Sequence, residues 1–361
     1  MSVHEPIRIA VIGCGRIAQT HLQACQEASM LELVAVCDIN NVVAQSVKEA
    51  FGCRKAYDDY RKMLESEKLD AVIICTPPSS HVTIACDAIG YGLHVLCEKP
   101  FATRLEDALK MVAYAEKQDR LIMMASKFRF SEDVIKARGI IQSGILGNII
   151  LYENVFCSKV NMAGRWNAMR EISGGGVLID NGSHAVDIAR FLVGPIVSVQ
   201  TQHGIQVQPI EVEDTSRFYF QTESGVLGII DLSWSIYKDS DTYIGVYGTE
   251  GTLSIGWQES KYRQSEKLNW VRFGKGYDKQ KAFTRQLQHF VNCLLHHEIP
   301  IITPQDAVES VRVIDAAYES ARFNKWLDIG NRNDSPGQNL QSLVLLPKIE
   351  VTNFNQLVGN T

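Results

Sequence analysis

An apolar segment that runs into a glycine-rich turn, residues 9–18, constrains this chain most strongly. It places the pattern G-x-G-x-x-A at the end of a strand-like run, and residues 20–27 continue it as a helix. Gly13 is suited to the tight turn, Gly15 lets the backbone approach a diphosphate, and Ala18 permits close helix–strand packing. Free N–H groups at the start of such a helix attract an anion. The segment therefore predicts a β-α unit that binds a dinucleotide.

The rest of the first 126 residues repeats this alternation of apolar runs and amphipathic helical stretches. Runs that are apolar throughout indicate strands buried on both faces, as in a parallel sheet covered by helices on both sides. We therefore predict an N-terminal doubly wound parallel sheet of the Rossmann type over residues 1–126. Its strands are expected at residues 7–13, 31–38, 71–76, 94–98 and 121–126.

The pattern changes after residue 127, where strands separated by glycine-containing turns dominate. We predict an α+β domain with a mostly antiparallel sheet over residues 127–330. Residues 331–361 are expected to form a linker and C-terminal tail, with a candidate strand at 343–351. The predicted elements are helices at 131–143, 182–192, 282–296 and 305–323, and strands at 149–157, 197–203, 217–221, 226–233, 242–247 and 251–255.

Composition excludes several classes of protein. With 36 Lys+Arg against 41 Asp+Glu, the net charge of −5 gives no basic surface for nucleic acid. No apolar run approaches the roughly 18 residues of a membrane span, so we expect a cytoplasmic protein with no membrane partner. The nine cysteines form no C-x-x-C pair, which favours reduced thiols over disulfides or a metal site.

Asp38 ends the second predicted strand, 20 residues after Ala18. At this spacing a carboxylate hydrogen-bonds the adenosine ribose diol of a dinucleotide. The same carboxylate would repel a 2′-phosphate. The sequence therefore predicts NAD as the cofactor, in preference to NADP.

Two further motifs follow strands and lie at the carboxyl edge of the predicted sheet, where ligands bind. Thr76-Pro77-Pro78 leads to His81, which either contacts the cofactor or is a structural residue in the first turn of a helix. Glu98-Lys99-Pro100 places an ammonium group where it can stabilise a developing alkoxide, unless it is only a surface turn.

A third candidate group follows the glycine run at residues 174–176. If a helix begins near Asp180, then Asp180, His184 and Asp187 lie along one face of it. His184 is suited to take the proton of an alcohol, and Asp180 could orient it or bind alongside it. The alternative is an N-cap aspartate followed by a histidine that faces the core.

Together these motifs resemble the Gfo/Idh/MocA family of oxidoreductases, named for glucose-fructose oxidoreductase, inositol dehydrogenase and rhizopine catabolism, over residues 6–325. The resemblance implies a Rossmann domain, a C-terminal domain with a large open sheet that mediates dimers or tetramers, and a Lys99–His184 catalytic pair assisted by Asp180. The motifs and the resemblance place these residues against the cofactor: Gly13, Gly15, Arg16, Ile17, Asp38, Thr76, Pro77, Pro78, His81, Glu98, Lys99 and Trp166.

The chain departs from the family pattern where the substrate is expected. Lys127-Phe128-Arg129-Phe130 resembles a segment that is often Asn-Arg-Arg-Phe, and Asn167 follows Trp166 where Arg is common. We assign the substrate to Lys99, Arg129, Trp166, Asp180 and His184. The cations Lys127, Arg129, Arg165 and Arg170 either bind a carboxylate or phosphate of an acidic sugar derivative or are solvated loop charges.

These observations predict an NAD-dependent dehydrogenase that acts on a secondary alcohol of a sugar, cyclitol or related polyol. His184 would remove the hydroxyl proton, and Lys99 would stabilise the alkoxide-like oxygen. Two alternatives remain open: a non-catalytic sensor that keeps the cofactor site, and a reductase of an imine or enal-type substrate.

Overall fold

The computed structural model describes residues 5–238, 240–265 and 269–330, which contain two β-sheets. The first sheet has six parallel strands in the order β3-β2-β1-β4-β5-β6. Its strands are β1 Ile7–Ile12, β2 Leu31–Cys37, β3 Lys55–Tyr57, β4 Ala71–Ile74, β5 His94–Glu98 and β6 Ile122–Ala125. They alternate with the helices α1 Arg16–Glu27, α2 Asn41–Phe51, α3 Tyr60–Ser66, α4 His81–Gly90 and α5 Leu105–Lys117.

This sheet confirms the predicted doubly wound Rossmann fold. The central strand β1 pairs with β2 on one side and β4 on the other, so that Val11 lies beside both Val36 and Ile73. The strand order therefore reverses between β1 and β4, and ligands bind at the carboxyl edge of such a switch point. The sequence-based prediction missed β3, which has only three residues at the edge of the sheet.

The second sheet has nine strands in the order β14-β13-β12-β11-β7-β10-β9-β8-β15. All neighbouring strands are antiparallel except β7 and β10, which confirms the predicted, mostly antiparallel open sheet. Its strands are β7 Ile149–Cys157, β8 Ile196–His203, β9 Thr215–Thr222, β10 Leu227–Ser233, β11 Thr242–Gly248, β12 Gly251–Gly256, β13 Ser260–Gln264, β14 Val271–Gly274 and β15 Leu327–Asp328.

Five more helices accompany this sheet. They are α6 Glu132–Gln142, α7 Arg170–Ser173, α8 Val177–Val193, α9 Lys279–His296 and α10 Pro304–Phe323. Helix α8 begins at Val177, three residues before Asp180, so the start expected near Asp180 is corrected. Asp180 consequently lies within the first turn of α8 instead of capping it.

Each sheet has its own hydrophobic core; helix α9 contributes to the first core and helix α10 to both. Phe283, Leu287 and Phe290 of α9 belong to the core of the first sheet, and α9 contacts α1. Helix α10 packs on α5 of the first sheet and on α8 and β8 of the second. The proposed domain boundary at residue 126 stays a prediction, and the tail at 331–361 with its candidate strand lies outside the described residues.

None of the helices in the described ranges is long and apolar enough to cross a membrane.

Candidate active site

The glycine turn between β1 and α1 forms an open cradle. Gly13 has φ +90°, and a Cβ there would lie 2.8 Å from the backbone of Cys75 and Thr76, so only glycine fits without a shift. At Gly15 a Cβ would meet nothing within 4 Å, and no side chain caps the N–H groups that begin α1 at Arg16. This uncapped helix start, with free space above it, fits the diphosphate of a dinucleotide.

Asp38 is fixed at the end of β2 by two backbone amides. Cys14 N–H donates to Oδ2 at 2.8 Å, and Asn40 N–H donates to Oδ1 at 2.9 Å. The half-buried carboxylate therefore lies beside the glycine turn. A carboxylate at this position is expected to contact the ribose of the cofactor. Its negative charge suits a ribose diol and opposes a 2′-phosphate.

His81 is a structural residue in this arrangement. Its ring is fully buried and contacts two backbone carbonyl oxygens, Thr76 O at 2.9 Å from Nε2 and Pro100 O at 3.1 Å from Nδ1. Burial lowers the pKa of the imidazole. The ring thus holds the Thr76 loop against the Lys99-Pro100 loop, and the expectation that it contacts the cofactor is corrected.

Glu98 anchors the end of β5 from inside the protein. Its Oε1 lies 2.8 Å from His21 Nε2, and its Oε2 accepts the backbone N–H of Lys99 at 3.0 Å. Burial works to raise the pKa of this carboxyl, but His21 and the nearby lysines Lys99 and Lys127 outweigh burial and leave the pKa below its ordinary value. Glu98 therefore stays ionised and fixes the backbone from which Lys99 extends.

Lys99 joins the first sheet to helix α8. Its Nζ donates to Asp180 Oδ1 at 2.6 Å and to the backbone oxygen of Asp180 at 3.1 Å. Asn167 Nδ2 reaches the other carboxylate oxygen of Asp180 at 3.4 Å. This pair is partly accessible, with side-chain exposures of 15% for Lys99 and 23% for Asp180, so a ligand can reach the ammonium group.

His184 lies one helical turn after Asp180 on α8. The ring packs edge-to-face against Phe128, with 5.1 Å between centroids, and its Nδ1 has no hydrogen-bonding partner among the described residues. Burial, together with the charges of Lys99 and Lys127, holds the pKa of His184 well below its ordinary value. The imidazole is therefore neutral near pH 7, which is the form that accepts a proton.

Glu213, which the sequence-based reasoning missed, fixes the start of α8. Its Oε1 accepts the backbone N–H groups of Gly176 at 3.0 Å and Leu178 at 3.1 Å, and Tyr318 Oη donates to the same oxygen at 2.7 Å. A Cβ at Gly176 would collide with the backbone oxygen of Glu213, and one at Gly175 with Tyr318 Oη. The glycine run was the signal for this close approach.

Two connected cavities meet at these side chains. The larger, about 500 Å³, is lined by the dinucleotide-motif residues Gly15, Arg16 and Ile17 and also by Thr76, Glu98, Arg165, Trp166 and Lys279. The smaller, about 320 Å³, is lined by the aromatic rings of Phe128, Phe156 and Trp257. Both cavities share six residues: Lys99, Lys127, Ser158, Asp180, Asn181 and His184. The two cavities thus meet at the candidate catalytic groups, and the larger one extends to the dinucleotide motif.

Arg129 lies outside both cavities, which corrects its assignment to the substrate. Its guanidinium is buried, with Nη2 2.7 Å from Asp187 Oδ1 and Nη1 3.2 Å from Asp306 Oδ2. Asp187 is paired with Arg129 and lines neither cavity. It therefore does not join Asp180 and His184 in the candidate site. Arg170 is also engaged elsewhere, because its guanidinium donates to the backbone oxygen of Glu211 at 3.1 Å.

Other predicted cofactor contacts lie beside the cavities without lining them. Gly13 and Asp38 shape the glycine turn and the ribose end, and Pro77 and Pro78 direct the chain out of β4. The described residues contain no group of three or more His, Cys, Asp or Glu side chains arranged to hold a metal ion. All nine cysteines lie in the described part and are unpaired.

Comparison with known proteins matches both halves of the chain to one family. Residues 7–126 match the model of an oxidoreductase family with an NAD-binding Rossmann fold, and residues 138–329 match the C-terminal alpha/beta domain of that oxidoreductase family. A D-apiose dehydrogenase of Paraburkholderia graminis is 28% identical over 337 residues, which cover 89% of each chain.

Two other known proteins match this chain over a similar share of its length. A scyllo-inositol 2-dehydrogenase (NAD⁺) of Bacillus subtilis is 28% identical and covers 89% of this chain and 95% of its own. An oxidoreductase of Agrobacterium radiobacter, solved in complex with NAD⁺, L-tartaric acid and magnesium, superposes with a TM-score of 0.83 at 24% identity, covering 90% of this chain and 98% of its own. This last likeness shows the fold.

Proposed function

Because the chain belongs to the Gfo/Idh/MocA oxidoreductase family, with its NAD-binding Rossmann domain followed by its C-terminal α/β domain, we propose that it transfers a hydride between NAD and a secondary alcohol or ketone of a sugar, a cyclitol or a sugar derivative. The protein is an NAD-dependent oxidoreductase, and curated relatives are named as dehydrogenases of apiose and of scyllo-inositol. The observation that carries the proposal is the meeting of Lys99, Asp180 and His184 at the boundary of the two cavities.

When bound, NAD supplies the acceptor or donor of the hydride. The chain supplies the proton chemistry, which we assign to His184 and Lys99 as an acid–base pair. In oxidation the neutral imidazole of His184 takes the hydroxyl proton, and Lys99 Nζ donates a hydrogen bond to the oxygen as its negative charge develops. Asp180 positions the ammonium group through the 2.6 Å contact with Lys99. In reduction the same groups act in the opposite sense.

Cofactor choice rests on the fixed carboxylate at the end of β2. Asp38 is held by two backbone amides and cannot turn away from the ribose without losing both hydrogen bonds. A 2′-phosphate would bring like charges together, whereas a diol would donate to the carboxylate. We propose NAD as the preferred cofactor on this basis.

The test is NADH formation with a panel of sugars and cyclitols. His184→Asn and Lys99→Met should each lower turnover about 100-fold or more while NADH binding, followed by fluorescence, changes little. His297→Asn and Lys275→Met are matched controls, because both side chains are exposed and line neither cavity. Turnover at the level of the unaltered protein in either site variant would remove the role assigned to that residue.

The same panel separates this proposal from a non-catalytic sensor and from a reductase of an imine or enal-type substrate. A sensor would bind NADH and show no turnover with any member of the panel. A reductase of a C=N or C=C bond would oxidise NADH with such substrates and leave the alcohols untouched. Nothing in the site favours either alternative, since a sensor has no need of the Lys99–Asp180 pair or the buried His184.

We also propose that the chain is a homo-oligomer and works in a reducing compartment such as the cytoplasm. Apolar side chains are exposed together on the open face of the second sheet, at Leu151 of β7, Tyr219 of β9 and Leu227 of β10. Nine unpaired thiols support the compartment. Light scattering after size-exclusion chromatography measures the mass of the assembly. If the Leu227→Glu variant formed an assembly of the same mass as the unaltered protein, this face would not be the contact between copies.

A further inference from the structure

Lys127 occupies an unusual position for a lysine. It follows β6 in a short helical turn, Lys127–Phe130, and lines both cavities. Its ammonium lies 5.4 Å from the ring centroid of Phe128 and 5.5 Å from that of Phe283, so aromatic rings flank its end. The side chain is partly exposed. Its ammonium group is therefore placed where a ligand in either cavity can reach it.

Within the described residues this ammonium has no matching negative charge. Lys127 forms no hydrogen bond or ion pair within the described residues. Two carboxylates are close enough to influence it, but Glu98 is engaged by His21 and by the Lys99 backbone, and Asp180 by the Lys99 side chain. Lys99 and Lys279 are the other nearby charges, and both are positive. The boundary of the two cavities consequently carries one uncompensated positive charge.

Holding that charge is unfavourable without a ligand. Burial, followed by the repulsion of Lys99, lowers the pKa of Lys127 to about 8. The group is still mainly protonated at pH 7. A buried cation without a partner is rare in proteins because it loses its hydration. An anionic group delivered by a ligand would remove this penalty.

The cofactor does not account for the anion. The diphosphate is expected at Gly15 and the start of α1, and Gly15, Arg16 and Ile17 line only the larger cavity. Lys127, in contrast, also lines the smaller cavity with the aromatic rings and with Asn181 and Ser158. Pockets of roughly 300 Å³ or more, with apolar walls and a few polar groups, suit small-molecule ligands. The anion therefore belongs to the second ligand.

The lining also indicates which anion it is. A phosphate is usually bound by several donors, often with an arginine fork. Apart from Lys99 and Lys127, the smaller cavity has no charged donor and no arginine in its lining. Because Lys99 is assigned to the reacting oxygen, one lysine remains. A single lysine with neighbouring amide and hydroxyl groups suits a carboxylate.

We propose that the substrate is an acidic sugar, a uronate or aldonate, and that Lys127 is a specificity-determining residue whose ammonium binds its carboxylate. This inference rests on the proposed function, because it names the substrate class of the same site. The neutral walls of Phe128, Phe156 and Trp257 face the carbon skeleton, and Asn181 and Ser158 are available to its hydroxyls.

The experiment compares matched pairs of neutral and acidic sugars, such as glucose with glucuronate and gluconate, and galactose with galacturonate. The NAD-loaded protein should show kcat/KM values roughly 10- to 100-fold higher for the acidic members. In Lys127→Met, which keeps the apolar stem, this preference should collapse, because kcat/KM for acidic sugars should fall at least about tenfold further than kcat/KM for neutral sugars. Lys275→Met, an exposed lysine outside both cavities, is the matched control.

A pH profile and a binding measurement give independent readouts. In the unaltered protein kcat/KM for the acidic sugar should fall above about pH 8, where free Lys127 loses its proton, and this fall should be absent in Lys127→Met. Calorimetry with NADH-loaded protein should show that glucuronate binds more tightly than glucose only when Lys127 is present.

The outcomes distinguish the two proposals. Oxidation of neutral sugars with no preference for acidic ones, or an equal loss for both classes in Lys127→Met, overturns the acidic substrate and leaves the dehydrogenase intact. A preference for sugar phosphates over carboxylates also overturns it. Binding of acidic sugars through Lys127 without NADH formation from any alcohol would instead support the ligand and refute the dehydrogenase.

Discussion

Replacing Arg129 by Met decides between a structural and a substrate-binding role for this residue. The guanidinium is 3% exposed and touches two carboxylates, with Nε donating to Asp187 Oδ2 at 3.0 Å and Nη1 to Asp306 Oδ2 at 3.2 Å. Nη1 also donates to the backbone oxygen of Ile301 at 3.0 Å. These contacts connect the turn after β6 with helices α8 and α10. Arg129 therefore ties the first sheet to the helices of the second core.

The expected magnitude follows from the charge that the substitution leaves behind. Removing one member of a buried ion pair costs about 3–5 kcal/mol, because the remaining charge is uncompensated. Asp306 keeps its hydrogen bonds from Thr303 N and Oγ1, whereas Ser126 Oγ is the one side-chain donor left to Asp187 among the described residues. Asp187 therefore accounts for most of the loss in the free energy of unfolding.

The loss should also depend on pH in a defined direction. Burial already raises the pKa of Asp187, and Arg129, followed by the hydrogen bond from Ser126, opposes this rise. Without Arg129 the folded-state pKa of Asp187 rises further above its unfolded value, so the unfolded state is favoured as pH rises. The deficit of Arg129→Met should consequently be larger at pH 8 than at pH 5.

Urea unfolding of the full chain, followed by circular dichroism, measures this deficit. Arg104→Met is the matched control: Arg104 pairs with Glu106 on the surface, with 72% of its side chain exposed, and should lose no more than about 1 kcal/mol. The structural role would be refuted if Arg129→Met were as stable as the unaltered protein and had a raised KM for the sugar.

Three other predictions follow from the site. Asp38→Ser, which removes the repulsive carboxylate, should reduce the preference for NADH over NADPH about tenfold or more in a fluorescence titration, and an unchanged preference would contradict the assignment. The pKa of His184 is well below its ordinary value, so kcat/KM for alcohol oxidation should not fall as pH drops from 8 to about 6.5. A pH profile of kcat/KM with its midpoint at or above about 6.5 would show that the imidazole is charged in the free enzyme and would contradict this prediction. Gly176→Ala, whose Cβ would collide with Glu213 O, should shift α8 and lower kcat with little change in NADH binding, while Gly144→Asn, at an open turn with φ +74°, should leave both unchanged.

The sequence predicted the parts of the molecule that depend on local patterns. The strand–turn–helix at Gly13 and Gly15 and the strand positions of the first sheet follow from spacing along a few residues. The position of Lys99 at the end of β5 follows from the same strand pattern. Strands β3, β13, β14 and β15 were missed. Strands β3 and β15 have only three and two residues, and β13 and β14 have five and four, so each carries too little alternation to be recognised.

Long-range pairing explains what the sequence did not predict. Arg129 was assigned to the substrate because its segment resembles a family segment expected at the substrate, yet its partners Asp187 and Asp306 are 58 and 177 residues away in the chain. Glu213 lies 37 residues beyond Gly176, whose amide it accepts, and only the glycine run indicated a close neighbour. Burial and pairing of charges arise from tertiary contacts that a local pattern does not contain.

Two lysines at the same cavity boundary illustrate how pairing separates their roles. Lys99 is balanced by Asp180, so its ammonium can respond to an oxygen that gains charge without favouring an anionic ground state. Lys127 lacks such a partner within the described ranges, and its attraction for an anion is present before any reaction. A charge that acts equally in the ground state and the transition state contributes binding, whereas one directed at developing charge contributes rate. On the proposed assignments, the unpaired lysine selects the substrate and the paired lysine acts in catalysis.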